Sequence, residues 1–204
     1  GKGPARHVRT VAGQVDPQAR YQVSSVETRQ TPSRPAGPFI TSTLQMAASN
    51  ALGFTASRTM RAAQGLYEGV NVPGEGQVGL ITYMRTDSTY IAGEAIERAR
   101  EFIADSFGES YLPEKPRYYG STNKNAQEAH EAIRPTDVRR LPEQLAKALN
   151  DDQLKLYRLI RNRFLACQMS DAQWNATTVL LQRSDKQTGA VLKTSGRVLL
   201  VDGF

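Results

Sequence analysis

Residues 31–38 read TPSRPAGP, with three prolines and a glycine in eight positions. Proline has no backbone N–H and a fixed φ, so such a run suits neither a sheet ladder nor a helix interior. It separates two patterns. Before it, YQVSSVETRQT (21–31) sets Val23 and Val26 among β-prone neighbours and predicts a strand. From Phe39 onward, Leu44, Ala47, Ala48 and Ala51 recur at three- and four-residue steps and Gly53 ends the pattern, which predicts a helix.

Further along, Thr55 or Ser57 is placed to cap a second helix carrying Met60, Ala63 and Leu66, with Gly69 as its terminator. The pair, joined by LGFTAS, reads either as a helix-turn-helix unit or as a plain helical hairpin. VNVPGEGQ (70–77) reads as a turn-rich insertion, and VGLITYM (78–84) as a short apolar strand that stops at RTDST. A third helix is predicted over roughly 91–107, with Ile91, Ala95, Ala99, Phe102 and Ile103 on one face and Gly108 closing it. QEAHEAI (127–133) reads as a helical turn halted by Pro135. Leu145, Leu149, Leu154, Tyr157, Ile160, Phe164 and Leu165 predict helical segments over 143–169. Strand character returns at 175–183 and 190–201.

The order strand, helical block, strands predicts an α+β fold: a mostly helical domain, 39–170, inserted into a β-strand domain built from 1–38 and 171–204. Residues 1–20 read as a loose lead-in. The last strand runs to Phe204 without a capping segment, so the β part is expected to belong to a longer protein.

The 204 residues are 39% hydrophobic and 23% charged, the balance of a globular chain with a polar surface. No apolar run of about 18 residues exists to span a membrane, and Gly1 to Thr10 lack the apolar core of a secretory signal. A single cysteine, Cys167, and two histidines far apart, His7 and His130, leave no soft-ligand metal site and point to a reducing cytoplasm. The net charge of +6 favours a polyanionic partner through counterion release.

Two segments carry candidate chemistry. GLITYMRTDS (79–88) places Tyr83 and Arg85 two residues apart, on one face if the run is extended. A neutral phenol, with a pKa of about 10, is a poor nucleophile. A nearby guanidinium favours the phenolate, and its planar fork can grip a phosphate and offset the charge that builds on it during attack. Asp87 is placed to orient Arg85 or a sugar hydroxyl, and Ser88 to bond a phosphate or cap the next helix. QEAHEAIRPTD (127–137) sets His130 between Glu128 and Glu131, with Arg134 a turn on; such a histidine can hold a phosphate or move a proton.

GLITYMRTDS resembles the active-site signature of the type IA DNA topoisomerases, and AHEAIRPT (129–136) resembles their second signature. PFITSTLQMAAS (38–49), LYEG (66–69) and LYRLIRNRFLACQM (156–169) follow the bacterial pattern in the same order, so the resemblance covers about residues 21–204. Met84 and Glu131 are similar to the topoisomerase I branch rather than the topoisomerase III branch. VNVPGEGQ departs from the shortest family form.

The resemblance implies that Tyr83 is the nucleophile, forming a 5′-phosphotyrosine bond with one DNA strand, and that Arg85 positions the scissile phosphate. His130 is implied to contact DNA near the break. Asp87, Ser88, Glu131, Arg134 and Thr136 are implied to support DNA binding. Thr41, Ser42, Thr43 and Gln45 are expected near the same face. The implied activity is ATP-independent relaxation of negatively supercoiled DNA, with single-stranded DNA as partner and a nucleoid-associated, cytoplasmic location. The implied Mg2+ is held by an N-terminal Toprim domain outside this chain, so no metal is expected on it. The rival reading is a non-catalytic helix-turn-helix DNA-binding module over residues 39–69.

Overall fold

The computed structural model describes residues 18–119, 130–184 and 191–204. It is a mixed α+β chain with two sheets. Its elements are β1 (Tyr21–Ser33), α1 (Thr41–Leu52), α2 (Ala56–Glu68), β2 (Val70–Val72), β3 (Gly76–Val78), α3 (Gly93–Phe107), a 3-10 turn (Glu109–Tyr111), α4 (Asp151–Ala166), β4 (Ala172–Arg183) and β5 (Val191–Val201). Two compact units divide the chain. One comprises Gly1–Thr31 with Trp174–Leu199, the other Pro32–Gln173 with Leu200–Phe204.

In the first unit the strand order is β1-β4-β5, with β4 central. Ser184 N–H donates to Arg20 O, Ser24 Oγ to Leu180 O, and Thr31 Oγ1 to Trp174 O; the Thr28 and Thr177 hydroxyls meet at 2.9 Å. Partners on β4 fall in number as those on β1 rise, so the two strands run antiparallel. The sheet leaves Val23, Val26, Val198 and Leu199 exposed.

The second unit is built on helices whose ends obey local rules. Gly53 takes φ +67, the left-handed conformation that ends α1 without a Cβ penalty. Thr55 caps α2 by accepting from Arg58 N–H. Asn150 and Gln153 cap α4 reciprocally, side chain to backbone, at 2.9 and 3.1 Å.

Two apolar clusters fill this unit. One joins Leu44 and Ala48 of α1, Ala63 and Leu66 of α2, and Leu156, Tyr157 and Ile160 of α4 with Leu80, Ile81 and Met84. The other joins Ile96, Ala99 and Ile103 of α3 to Ile91, Ala132, Val138 and to Phe164 and Leu165 of α4. α4 therefore serves both, and residues 85–90 cross from one cluster to the other.

Several expectations are corrected. Residues 70–78 form an antiparallel hairpin, β2 with β3, in register Val70 with Val78 and Val72 with Gly76. The Pro73–Glu75 turn chemistry at its tip lets the flanking valines pair. The 78–84 run is not a continuous strand: β3 ends at Val78, and only Ile81 makes a bridge, to Pro135. Residues 130–133 are not helical, because Ile133 pairs instead with Phe39; residues 127–129 lie outside the described residues. Over 142–148 the chain makes turns rather than an extension of α4, which starts at its Asn150 cap. α3 starts at Gly93 with Ala92 as cap, so Ser88 does not cap it. Ala51 is exposed rather than on the buried face of α1. The lead-in up to residue 17 lies outside the described residues.

Candidate active site

The approach to Tyr83 is held on two sides. Leu80 N–H donates to Leu66 O in the last turn of α2 at 2.8 Å. On the other side, Thr136 N–H donates to Leu80 O, Thr136 Oγ1 to Gly79 O, and Thr82 N–H to Arg134 O. Gly79 is required here: a Cβ would lie 2.9 Å from the Tyr67 carbonyl oxygen, a backbone atom that cannot step aside.

Beyond this clamp, burial alternates. Met84, Thr86 and Ser88 are buried, while Tyr83, Arg85 and Asp87 are exposed. The two-residue period survives without a strand ladder because Thr41, at the start of α1, supplies one locally. Its hydroxyl donates to Met84 O at 2.8 Å and accepts Thr86 N–H at 2.9 Å, and its own N–H donates to Thr86 O at 2.9 Å. The backbone is gripped on both sides of Arg85, whose side chain is left to project outward.

His130 reaches the same place by a separate route. Ala132 N–H donates to Tyr90 O and Ile133 N–H to Phe39 O, each at 2.8 Å. These bonds lay the 130–133 backbone beside the start of α1, and the His130 ring comes to rest 6.1 Å, centroid to centroid, from Tyr83. Tyr67 also meets Tyr83, edge to face at 5.2 Å and 65°. Tyr83 is 38% exposed.

Next to this aromatic row lies an open cavity of about 440 Å³, lined by Ile40, Thr41, Ser42, Gln45, Arg85, Thr86, Asp87 and His130. The first turn of α1 faces it and carries no acidic residue, so the positive end of the helix dipole is not neutralised there. Among the described residues no carboxylate pairs with Arg85. A guanidinium, a helix N-terminus and an imidazole around one concavity suit a phosphate. The Tyr83 ring lies 6.1 Å, centroid to centroid, from the His130 ring that lines it.

A family model for DNA topoisomerase matches residues 4–204. The chain belongs to the bacterial type IA DNA topoisomerase family. It is 53% identical over 184 residues to DNA topoisomerase 1 of Campylobacter jejuni, covering 90% of this chain and 26% of that protein. It is 50% identical over 184 residues to the Haemophilus influenzae DNA topoisomerase 1, covering 20% of it. The full-length topoisomerase I structure from Thermotoga maritima superposes with a TM-score of 0.76 at 42% identity, over 92% of this chain and 29% of that one. The chain thus spans about a quarter of the length of the topoisomerases it matches.

Of the residues that the topoisomerase signatures single out, Arg85, Asp87 and His130 meet in one cavity with Tyr83 beside them, and Thr41, Ser42 and Gln45 line it too. The other signature residues are engaged within the chain. Ser88 is buried, and its Oγ accepts Tyr90 N–H. Glu131 accepts Ala92 N–H at 2.9 Å, at the start of α3, and pairs with Arg134. Arg134 also donates to Pro135 O, and with Thr136 it lines a separate cavity of about 80 Å³ against α3. Thr43 turns back to the Ile40 backbone. The residue that sequence reading left without a role is Tyr67. Its signal was the LYEG stretch, an aromatic two residues before a helix-ending glycine.

Proposed function

We propose that this chain is the tyrosine-bearing central part of a bacterial DNA topoisomerase I, and that Tyr83 breaks and rejoins one DNA strand. The observation that carries this is the exposed Tyr83 ring, 6.1 Å from His130, which lines one cavity together with Arg85. The scissile phosphate would lie in that cavity, against the Arg85 guanidinium and the first turn of α1. The Tyr83 phenol gives up its proton, and its oxygen bonds to phosphorus. The bond from phosphorus to the 3′ oxygen breaks, and that oxygen takes a proton to leave as a hydroxyl. The 5′ phosphate is then esterified to Tyr83. One phosphoester replaces another, so resealing is the same step reversed and needs no nucleotide. Arg85 and the helix dipole offset the charge on the phosphorane-like transition state.

The helical unit reads as the tyrosine-bearing domain III, 39–170, set into a β hinge, domain II, traversed at 1–38 and 171–204. The uncovered valines and leucines of the three-stranded sheet support a hinge completed by other parts of the same polypeptide. Among the described residues no three His, Cys, Asp or Glu side chains converge on a point that could hold a metal ion. The described residues thus offer no ready cluster for Mg2+, and we assign its ligands to a Toprim domain elsewhere in the enzyme. No helix among the described residues is long and apolar enough to cross a membrane. Single-stranded or underwound DNA is the substrate, which places the enzyme with the nucleoid in the cytoplasm.

The test is covalent capture. Full-length enzyme is mixed with an oligonucleotide labelled 5′ to the break and on the other side in parallel, then denatured. Only the label downstream of the break should stay on protein, and Tyr83→Phe should lose the adduct while still binding DNA. Adduct formation by Tyr83→Phe would overturn the assignment. The isolated chain should bind single strands weakly and leave plasmids supercoiled. A helix-turn-helix reading fits less well, because Arg58 of α2 is tied bidentately to Asp152 and stacks on Phe54.

A further inference from the structure

We infer that Tyr67 is a positioning residue for the reaction: the last turn of α2 presents its ring as a rest that fixes the direction of the Tyr83 phenol. This rests on Tyr83 being the nucleophile, as proposed above.

Three observations carry it. The Tyr67 ring meets the Tyr83 ring edge to face, 5.2 Å between centroids at 65°, the geometry that aromatic quadrupoles favour. The backbone under both rings is locked together: Leu80 N–H donates to Leu66 O, and the Tyr67 carbonyl oxygen sits so close over Gly79 that no side chain fits there. The separation of the two rings is thus set by a short rigid path, not by a mobile loop. Finally, Tyr67 is 41% exposed, so it contributes little to the core and its ring does not serve chiefly as packing.

Without this rest, Tyr83 would keep only the His130 ring, 6.1 Å away, as an aromatic neighbour and could rotate about its first side-chain torsion. A nucleophile must lie close to phosphorus and in line with the leaving oxygen, and small misplacements are costly in rate. Tyr67 would then act on the fraction of time that the Tyr83 oxygen is aimed, and not on DNA affinity. The Tyr67 hydroxyl makes no hydrogen bond to another described residue, so the ring and not the oxygen does this.

The test uses the full-length topoisomerase carrying this chain, with a single-stranded oligonucleotide. Single-turnover cleavage, oligonucleotide affinity and melting temperature are measured for Tyr67→Leu, Tyr67→Phe and Tyr83→Phe. Tyr67→Leu should cleave about three- to tenfold more slowly, the factor that one aromatic pair carries, with affinity and melting temperature held. Tyr67→Phe should restore the rate. Gly79→Ala, which displaces the same backbone from α2, should also slow cleavage. The inference is overturned if Tyr67→Leu cleaves at the parent rate, if Tyr67→Phe is as slow as Tyr67→Leu, or if the loss tracks melting temperature or affinity. If Tyr83→Phe still forms the adduct, the underlying assignment has failed instead.

Discussion

Thr41 and Thr86 exchange hydrogen bonds in both directions: Thr86 N–H donates to Thr41 Oγ1 and Thr41 N–H to Thr86 O, each at 2.9 Å. The start of a helix is thereby stitched to an irregular segment in the manner of a strand pair. The stitch lies on the exit side of Arg85. The Thr41 hydroxyl's bond to Met84 O closes the entry side.

Thr41→Val keeps the shape and removes the hydroxyl, leaving the buried Thr86 amide without its acceptor. Such a loss costs about 1–3 kcal/mol of stability. A useful control is Asn150→Ala, which removes the α4 cap at about 1 kcal/mol, away from the cavity. In the full-length enzyme Thr41→Val should lose cleavage beyond its loss of stability, while Asn150→Ala should cleave normally. Equal cleavage by the two in single-turnover assays would show that the clasp does not place Arg85.

Arg85 is exposed and holds no carboxylate among the described residues, so Arg85→Ala should change stability by no more than about 0.5 kcal/mol. Its effect should fall on DNA. Each phosphate contact to a single strand contributes about 0.7 to the slope of log affinity against log salt. A titration series in salt should show the slope shallower by roughly that amount. An unchanged slope would remove Arg85 from the phosphate.

Glu131 joins α3 to the second signature. Glu131→Ala strips the acceptor from Ala92 N–H and leaves Arg134, largely buried, without its partner. The expected cost is about 1.5–3 kcal/mol in denaturant unfolding, as for a lost bond to a charged group. The salt slope of DNA binding should stay where it was. A changed slope with unchanged stability would make Glu131 and Arg134 DNA contacts and not internal struts.

Alkaline pH should unfold the helical unit early. Burial pushes the Tyr157 and Tyr119 phenols, normally at 10.0, up to about 12, and the Cys167 thiol from 9.0 up to about 12. A raised folded pKa means the neutral group is favoured in the fold. The stability it contributes is complete below the unfolded value and is lost as pH rises towards the folded one. Melting temperature should therefore hold to about pH 9 and fall steadily toward pH 12. Tyr157→Phe loses the hydroxyl's bond to Arg140 O but should flatten part of that decline. A melting temperature level up to pH 11 would contradict this.

The helices were legible because their signals are local. Gly53, Thr55, Gly69 and Gly108 end or cap the elements where pattern and turn chemistry place them. The segments that misled were those whose backbone partners are distant. VGLITYM is apolar enough to be a strand, but its hydrogen bonds go to Leu66 and to residues 134–136, so only one bridge forms. The turn expected at 127–133 is overridden over 130–133 by Phe39 and Tyr90, which claim the amides of Ile133 and Ala132.

By itself the chain of residues determined the helical periods, their stops and the presence of a phenol two positions from a guanidinium, because each follows from rules acting over a few neighbours. Alternation of exposed and buried side chains along 83–88 was equally implicit in that spacing. Only the tertiary structure decided that His130 and Tyr67 come near Tyr83, that Thr41 clasps the backbone around Arg85, and that Glu131 and Arg134 face α3 rather than the cavity. Those choices depend on how two apolar clusters pack around α4 and which carbonyls remain for distant amides, and no local period encodes them.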